Sequence, residues 1–419
     1  MLELTATDQA MLAGDHGEAS QLAMRVVVRL AEVMGAGQLL DITGAHIDSC
    51  LYHGRSGLDF ADRLADGGGR VIVPTSLNVA SLDLLHPDLY RGDPETARMA
   101  RRLMERYEEM GCRPTWTCAP YQLPERPGFG EHIAWAESNA IVFANSVLGA
   151  RTHRYGDFID ICAAITGRAP AAGLHLTENR YAGVVIRLEG VSDALLDRDV
   201  MYPVLGHLLG DIVGKQVPVI VGLPPAVSED RLKAIGAAAA SSGSVGLFHA
   251  VGSTPEAPTL SDALGGKEPG TTIVVKPGDL RRARDQLSTT RMQKLGAVSI
   301  GTPHYSIDEF AKLVPLVAGT QFTVPFYVST GRDVLEEVRR REWLGLLETA
   351  GIQIVTDTCT YVTPVMAEIS GPVMTDSGKW AYYAPGNIGV DVVYGSTEDC
   401  VASAVAGRVV RDEAVWSDD

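Results

Sequence analysis

VPVIVGLPPAVSEDRLKAIGAAAASSGSVGLFHAVG, Val217–Gly252, reads as strand, helix, strand. Val217–Leu223 and Ser244–Gly252 are short apolar runs, and Glu229–Ala240 between them has helical length and composition. Near-continuous apolar strands are those buried on both faces, and strands joined through a helix run parallel. The pattern repeats outward. Toward the C-terminus come strand Thr271–Pro277, helix Gly278–Leu287, strand Ala297–Gly301, helix Ile307–Ala318, strand Phe322–Val328, helices to Ala350, strand Ile352–Asp357 and a last strand–helix pair, Gly389–Gly395 and Thr397–Val405. Toward the N-terminus lie a helix from Ala194 to Gly210 and strand Ala182–Leu188. Alternation of this kind predicts an α/β fold with mostly parallel sheets covered on both faces.

The first half is less regular. Helices are expected over Glu18–Met34, Ser56–Ala65, Glu95–Gly111 and Tyr155–Ile165, with strands at Leu39–Ile42 and Arg70–Val79. From Ile133 to Leu148 the apolar residues fall at helical spacing, which predicts one helix carrying Glu137, Asn139 and Ser146 as polar groups on an apolar surface. Polar groups placed there need partners, from other helices or from a bound cofactor and substrate. The 419 residues exceed one hydrophobic core, so several lobes are expected, at 1–165, 166–290 and 291–419.

Charge narrows the function. Against 52 acidic residues stand 36 basic ones, a net −16, which argues against nucleic acid and anionic membrane surfaces as partners. No apolar run is long enough to span a bilayer and the first residues lack a signal-peptide pattern, so a cytoplasmic location is expected. No GxGxxG or GxxxxGK[ST] motif supports nicotinamide or ATP chemistry.

The six cysteines lack CxxC spacing. Cys50, Cys118 and Cys359 lie in polar loops, where parallel folds place ligands, whereas Cys162 and Cys400 lie on expected helices and Cys112 follows a helix-ending Gly. Three converging thiolates would suit an iron–sulfur cluster with an exchangeable iron, and an iron with an open position is a Lewis acid. Arg151, Arg154 or Lys379 would then hold a substrate carboxylate while a neighbouring base takes a proton. The polar loops Gly44–Gly54, Gly173–Arg180, Thr356–Pro364 and Met374–Gly386 also read as solvated surface if no ligand is present.

The segments TWTCAPYQ, GEHIAWAESNAIVFANSVLGARTHR, GLHLTENR, GTPHYSIDEF, VTDTCTYV and DSGKWAYYAPGNIG resemble the aconitase X family, specifically its catalytic large component, from about Leu4 to Arg408. The resemblance implies an aconitase-like fold of several α/β/α lobes around a central cleft, and a hydro-lyase. Its expected substrate is cis-3-hydroxy-L-proline, giving Δ1-pyrroline-2-carboxylate, with mevalonate 5-phosphate as the alternative. By motif, Cys118 and Cys359 match metal ligands. Thr302 in GTPH stands where some members have a third Cys, so Cys50 is the expected replacement, with His304, a smaller cluster or a lone iron as the other outcomes. The cofactor is thus expected to be an iron–sulfur cluster (2Fe-2S or 4Fe-4S) or mononuclear iron. The resemblance also implies Lys379, Glu137 and Ser146 as catalytic groups. It implies His46, Ser138, Asn139, Asn145, Arg151, His175 and Asn179 as substrate contacts. The family's swivelling domain is expected as a separate small subunit. A reading from another class, a metal-free binding or regulatory subunit with structural thiols, draws on the missing Cys at Thr302.

Overall fold

The structure, a computed structural model, describes residues 2–416. The chain divides into two compact units. The first comprises Met1–Leu82 and Gly92–Tyr181, and the second comprises Asp83–Arg91 and Ala182–Asp419.

In the first unit a three-stranded parallel sheet places Ala45–Ile47 between Thr75–Leu77 and Ala134–Trp135. All eight strand residues are buried, as the two-faced burial of parallel strands requires. A separate antiparallel pair joins Leu39–Asp41 to Arg168–Pro170. Helices Glu18–Val33, Arg55–Asp66, Pro94–Glu109 and Ile159–Thr166 are close to expectation. The expected helix from Ile133 to Leu148 is not one helix. Ala134–Trp135 is a strand and Ser138–Phe143 a short helix, which runs into a π-helical turn at Ala144–Leu148. The break falls where it does because Glu137 is an N-cap, its carboxylate accepting the Ala140 N–H at 2.8 Å. Such a π turn is a frequent mark of a functional segment.

The second unit holds two parallel sheets, as the strand–helix alternation predicts. One has four strands in the order His249–Ala250, Pro218–Val221, Val184–Leu188, Thr271–Val275. The other has five, in the order Ile352–Val355, Phe326–Thr330, Ala297–Tyr305, Val373–Thr375, Val392–Tyr394. Helices Met201–Val213 and Glu229–Ser242 pack closely because the contact is glycine. A Cβ at Gly206 would lie 2.3 Å from the Ile235 carbonyl oxygen, and one at Gly243 would lie 2.3 Å from that of Gly210.

Chain order reverses at Ala297–Tyr305: the next two strands, Phe326–Thr330 and Ile352–Val355, are added on one side of it, and the last two, Val373–Thr375 and Val392–Tyr394, on the other. Parallel sheets open a crevice at the carboxyl ends of strands where such a reversal occurs. Gly301 shapes that end: its φ is +86° and an added Cβ would lie 2.2 Å from the Ser329 carbonyl oxygen. Pairing with Phe326–Thr330 shifts register between Ile300 and Tyr305, immediately around this glycine.

Candidate active site

In the first unit the ends of the three parallel strands bring polar side chains together. Asp48 follows the central strand, Asn78 follows one neighbour and Glu137 lies two residues beyond the other. Asn78 Nδ2 donates to Asp48 Oδ1. Burial, with the charges of Glu137, Asp157 and Asp160, pushes the Asp48 carboxyl up to about 8. Asp160 is pushed up to about 6, chiefly by burial, and accepts from the Ser49 backbone and hydroxyl at 3.0 Å each. His46 is fully buried, its Nδ1 2.8 Å from Ser76 Oγ, and burial lowers it to about 3, which fixes a neutral ring.

Cys50, one residue beyond this cluster, points at carbonyl groups. Its Sγ lies 3.3 Å from the Ile47 oxygen and 3.4 Å from that of Asn78, the geometry of a protonated thiol donating. Burial and the charge of Asp48 push that thiol well above its ordinary value, so its surroundings favour the form that does not bind metal.

Cys118 is buried, and its backbone oxygen accepts from Asn139 Nδ2 at 2.9 Å. The same amide donates to Glu137, and Asn139 Oδ1 accepts from Tyr121 OH at 2.6 Å. Ser138 Oγ reaches Glu137 at 3.2 Å. Glu137, Ser138 and Asn139 therefore form one array beside the Cys118 segment. Asn145, on the π turn, is spent on its own scaffold. Its Oδ1 accepts from Thr152 N at 3.1 Å and from Arg180 at 3.0 Å, and its Nδ2 donates to the Thr152 oxygen at 2.9 Å. Ser146, on the same turn, is buried.

Arg151 donates to the His175 carbonyl at 3.0 Å and to Thr177 Oγ1 at 2.9 Å. His175 is buried in a row of rings, 3.0 Å from His132 and, through Nε2, 2.6 Å from Tyr155 OH. Burial and the nearby positive groups lower it to about 3. Asn179 is exposed and donates to the Gly173 oxygen at 3.0 Å.

In the second unit Cys359 and His304 meet. Each is at most 1% exposed, and a ring nitrogen of His304 and the Cys359 sulfur lie within 4.8 Å. His304 Nε2 lies 3.2 Å from the Thr358 carbonyl oxygen, which can only accept. That bond puts the ring proton on Nε2 and the lone pair on Nδ1, the usual second-shell arrangement of a ligating histidine. Burial lowers His304 to about 4, so the ring stays neutral through the physiological range. A buried thiol beside a neutral imidazole fits iron or an iron–sulfur centre.

Beside the strand-order reversal lies a cavity of about 400 Å³, whose walls include Thr302, Asp376, Ser377 and Lys379. Ser377 caps helix Gly378–Ile388, accepting from Trp380 N at 3.0 Å and donating to the Thr302 carbonyl. Asp376 accepts from Tyr305 OH at 2.7 Å and Thr397 Oγ1 at 2.8 Å. The same cavity is lined by an ion-pair network, in which Lys233 contacts Asp230 at 2.9 Å and Glu309, and Asp199 takes both Arg231 and Lys312. Sequence reading placed Asp48 in the polar Gly44–Gly54 loop without giving it a role and passed over Asp376, although each directly follows a parallel strand, and that position was the available signal.

Family models for the first, second and third domains of aconitase X match residues 1–178, 182–285 and 295–406. The chain is 44% identical over 418 residues to the cis-3-hydroxy-L-proline dehydratase of Pseudomonas aeruginosa, a match covering 99% of this chain and 72% of that protein. The chain belongs to the aconitase X family. A phosphomevalonate dehydratase large subunit from Methanothermobacter thermautotrophicus is 37% identical, over 93% of this chain and 96% of that subunit. The crystal structure of holo aconitase X from Thermococcus kodakaraensis superposes with a TM-score of 0.86 at 32% identity, covering 96% of this chain and all of that one. The fold is therefore the one the resemblance implies, and its parallel sheets are what the strand–helix alternation predicts.

Proposed function

We propose that this aconitase X chain is the catalytic component of a hydro-lyase that removes water from cis-3-hydroxy-L-proline. The observation that carries the reading is the buried His304–Cys359 pair at the carboxyl ends of a parallel sheet. The similarity to the Pseudomonas dehydratase selects the substrate. His304 and Cys359 would hold iron or an iron–sulfur cluster, and the resemblance adds Cys118. Cys50 is set aside because its thiol is committed to carbonyl oxygens. When bound, such a centre supplies a Lewis acid for the departing hydroxyl.

The protein's own groups supply the rest. In the overall reaction the proton on the carbon bearing the carboxylate goes to a base. The neighbouring hydroxyl leaves as water, and the enamine formed tautomerises to Δ1-pyrroline-2-carboxylate. Lys379, on the cavity wall, is assigned to the substrate carboxylate, which makes the adjacent proton more acidic. Glu137 and Ser146 are the candidates for moving the proton, and His46, Ser138, His175 and Arg151 for orienting the ring. Asn139, Asn145 and Asn179 act on the backbone, holding the site's shape.

One observation favours the amino acid over mevalonate 5-phosphate. The cavity's Lys233, Arg231 and Lys312 are each matched by carboxylates, and Asp376 lines the same cavity. Mixed charge of this kind suits a zwitterion better than a phosphate dianion. A small swivelling-domain subunit is the proposed partner, by analogy with the archaeal proteins named large subunits. No helix among the described residues is long and apolar enough to cross a membrane, and a cytoplasmic location is part of the proposal.

The test is anaerobic purification with the small subunit, iron and sulfide quantification, and dehydration assays on both substrates. Iron with turnover of cis-3-hydroxy-L-proline is the expected result. Turnover of mevalonate 5-phosphate alone would transfer the assignment to the other branch. Protein kept reduced that holds no metal would favour the metal-free subunit.

A further inference from the structure

Ile352–Val355 is an edge strand of the five-stranded sheet, so the Cys359 loop that follows has a sheet neighbour on one side only. The missing support comes from Asp83–Arg91, a segment that leaves the first unit's sequence and packs with the second. Asp83 is the centre of the contact. Its Oδ2 accepts from Thr356 N at 2.8 Å and from His86 Nδ1 at 3.0 Å. Its Oδ1 accepts from Thr356 Oγ1 at 2.9 Å, Leu85 N at 3.0 Å and His86 N at 2.8 Å. Five donors on one carboxylate, itself 1% exposed, are far more than a solvated loop acid needs.

The next residue of the Cys359 loop is held as firmly. Asp357 has φ +60°, a left-handed conformation that costs a non-glycine residue about 1–3 kcal/mol and persists only where its surroundings impose it. Leu84 N donates to its Oδ2 at 3.0 Å, and Arg332 grips both oxygens at 2.6 and 2.7 Å. At the far end of the loop, Arg91 N donates to the Pro364 oxygen at 2.8 Å. The segment thus fastens both ends of residues 356–364, with Cys359 between them.

We propose that Asp83 is a positioning residue for Cys359: through Thr356 it fixes the start of the loop and so the direction in which the thiol is presented to the metal. This rests on the reading of Cys359 as a ligand. Asp83 touches neither substrate nor metal. Its effect is to pre-pay the ordering of the loop, so that metal binding does not bear it.

Cobalt(II) binding to the full chain, without air, tests this, because the thiolate-to-cobalt band grows with each thiolate bound, Cys118 as well as Cys359, and so weakens when the Cys359 contact is lost, without any turnover. Asp83→Asn keeps the shape but turns an amide N–H toward the Thr356 N–H or the His86 ring. In that variant cobalt affinity is expected to fall about 10–100-fold, with a weakened band and unchanged far-UV circular dichroism. Thr356→Val removes one hydrogen bond and is expected to lose roughly fivefold. Parental affinity and band in a folded Asp83→Asn variant overturn the inference. Should that variant fail to fold, parental affinity in Thr356→Val does so alone. Cys359→Ser separates the two levels. If it keeps the parental band, Cys359 is not the ligand and the underlying reading fails; if it weakens the band while Asp83→Asn does not, only the positioning role fails.

Discussion

Replacing Lys233 with Met should destabilise the second unit by about 3 kcal/mol at pH 7, the lower end of the cost of breaking a buried ion pair. Lys233 is 4% exposed, in the second turn of helix Glu229–Ser242, with its ammonium between Asp230 and Glu309. Burial alone would raise Asp230, but Lys233 holds it below its ordinary value, so the charge left behind is chiefly that of Asp230. Its carboxylate is 20% exposed, and water reaching it is the reason for choosing the lower figure. Burial pushes Glu309 up to about 8. An acid raised in the folded state loses stability as pH climbs from its ordinary value toward the folded one. For the wild type that loss is complete just above pH 8. Without Lys233, Glu309 must ionise beside Asp230 with no cation, so its window extends higher, and each further unit costs about 1.4 kcal/mol. The gap between variant and parent should therefore widen between pH 7 and pH 9. A chain of this size need not unfold in one step, so the measurement is hydrogen exchange of helix Glu229–Ser242 across a urea series at both pH values. A loss under about 1 kcal/mol at both, or a gap that narrows at pH 9, would refute the reasoning.

His304→Gln should lower bound iron by about tenfold or more at fixed iron concentration while leaving the circular dichroism unchanged; parental iron content would exclude His304 as a ligand. Asp48→Asn should gain stability over the parent as pH rises from 5 to 8. The parental carboxyl, raised to about 8, loses up to about 1.4 kcal/mol per unit across that interval and the amide loses none, so an equal melting-temperature difference at pH 5 and pH 8 would contradict the assignment. Gly206→Ala should cost about 1–3 kcal/mol by forcing apart helices Met201–Val213 and Glu229–Ser242, since its Cβ would lie 2.3 Å from the Ile235 oxygen. Chemical denaturation read on the same two helices checks it, and an unchanged midpoint would show that the contact is slack.

The sequence by itself determined the parallel sheets and the family. Val- and Ile-rich runs such as Val217–Val221 are legible because a strand buried on both faces needs apolar residues throughout, and burial is a property each residue carries with it. The motifs GTPH and TDTC were legible in the same way, as runs of local chemistry. The helix expected from Ile133 to Leu148 was misread because periodicity records which residues are buried, not which hydrogen bonds the backbone makes. There Glu137 caps a helix that begins only at Ser138. Tertiary structure alone decided that Cys50 faces carbonyl groups, that His304 meets Cys359 across 55 positions of chain, and that Asp83 holds the Cys359 loop from 273 positions away. In LDLLHP, Leu82–Pro87, nothing marks Asp83 from a solvated turn residue, because the value of a carboxylate depends on the donors that surround it, and those arrive only when distant segments pack.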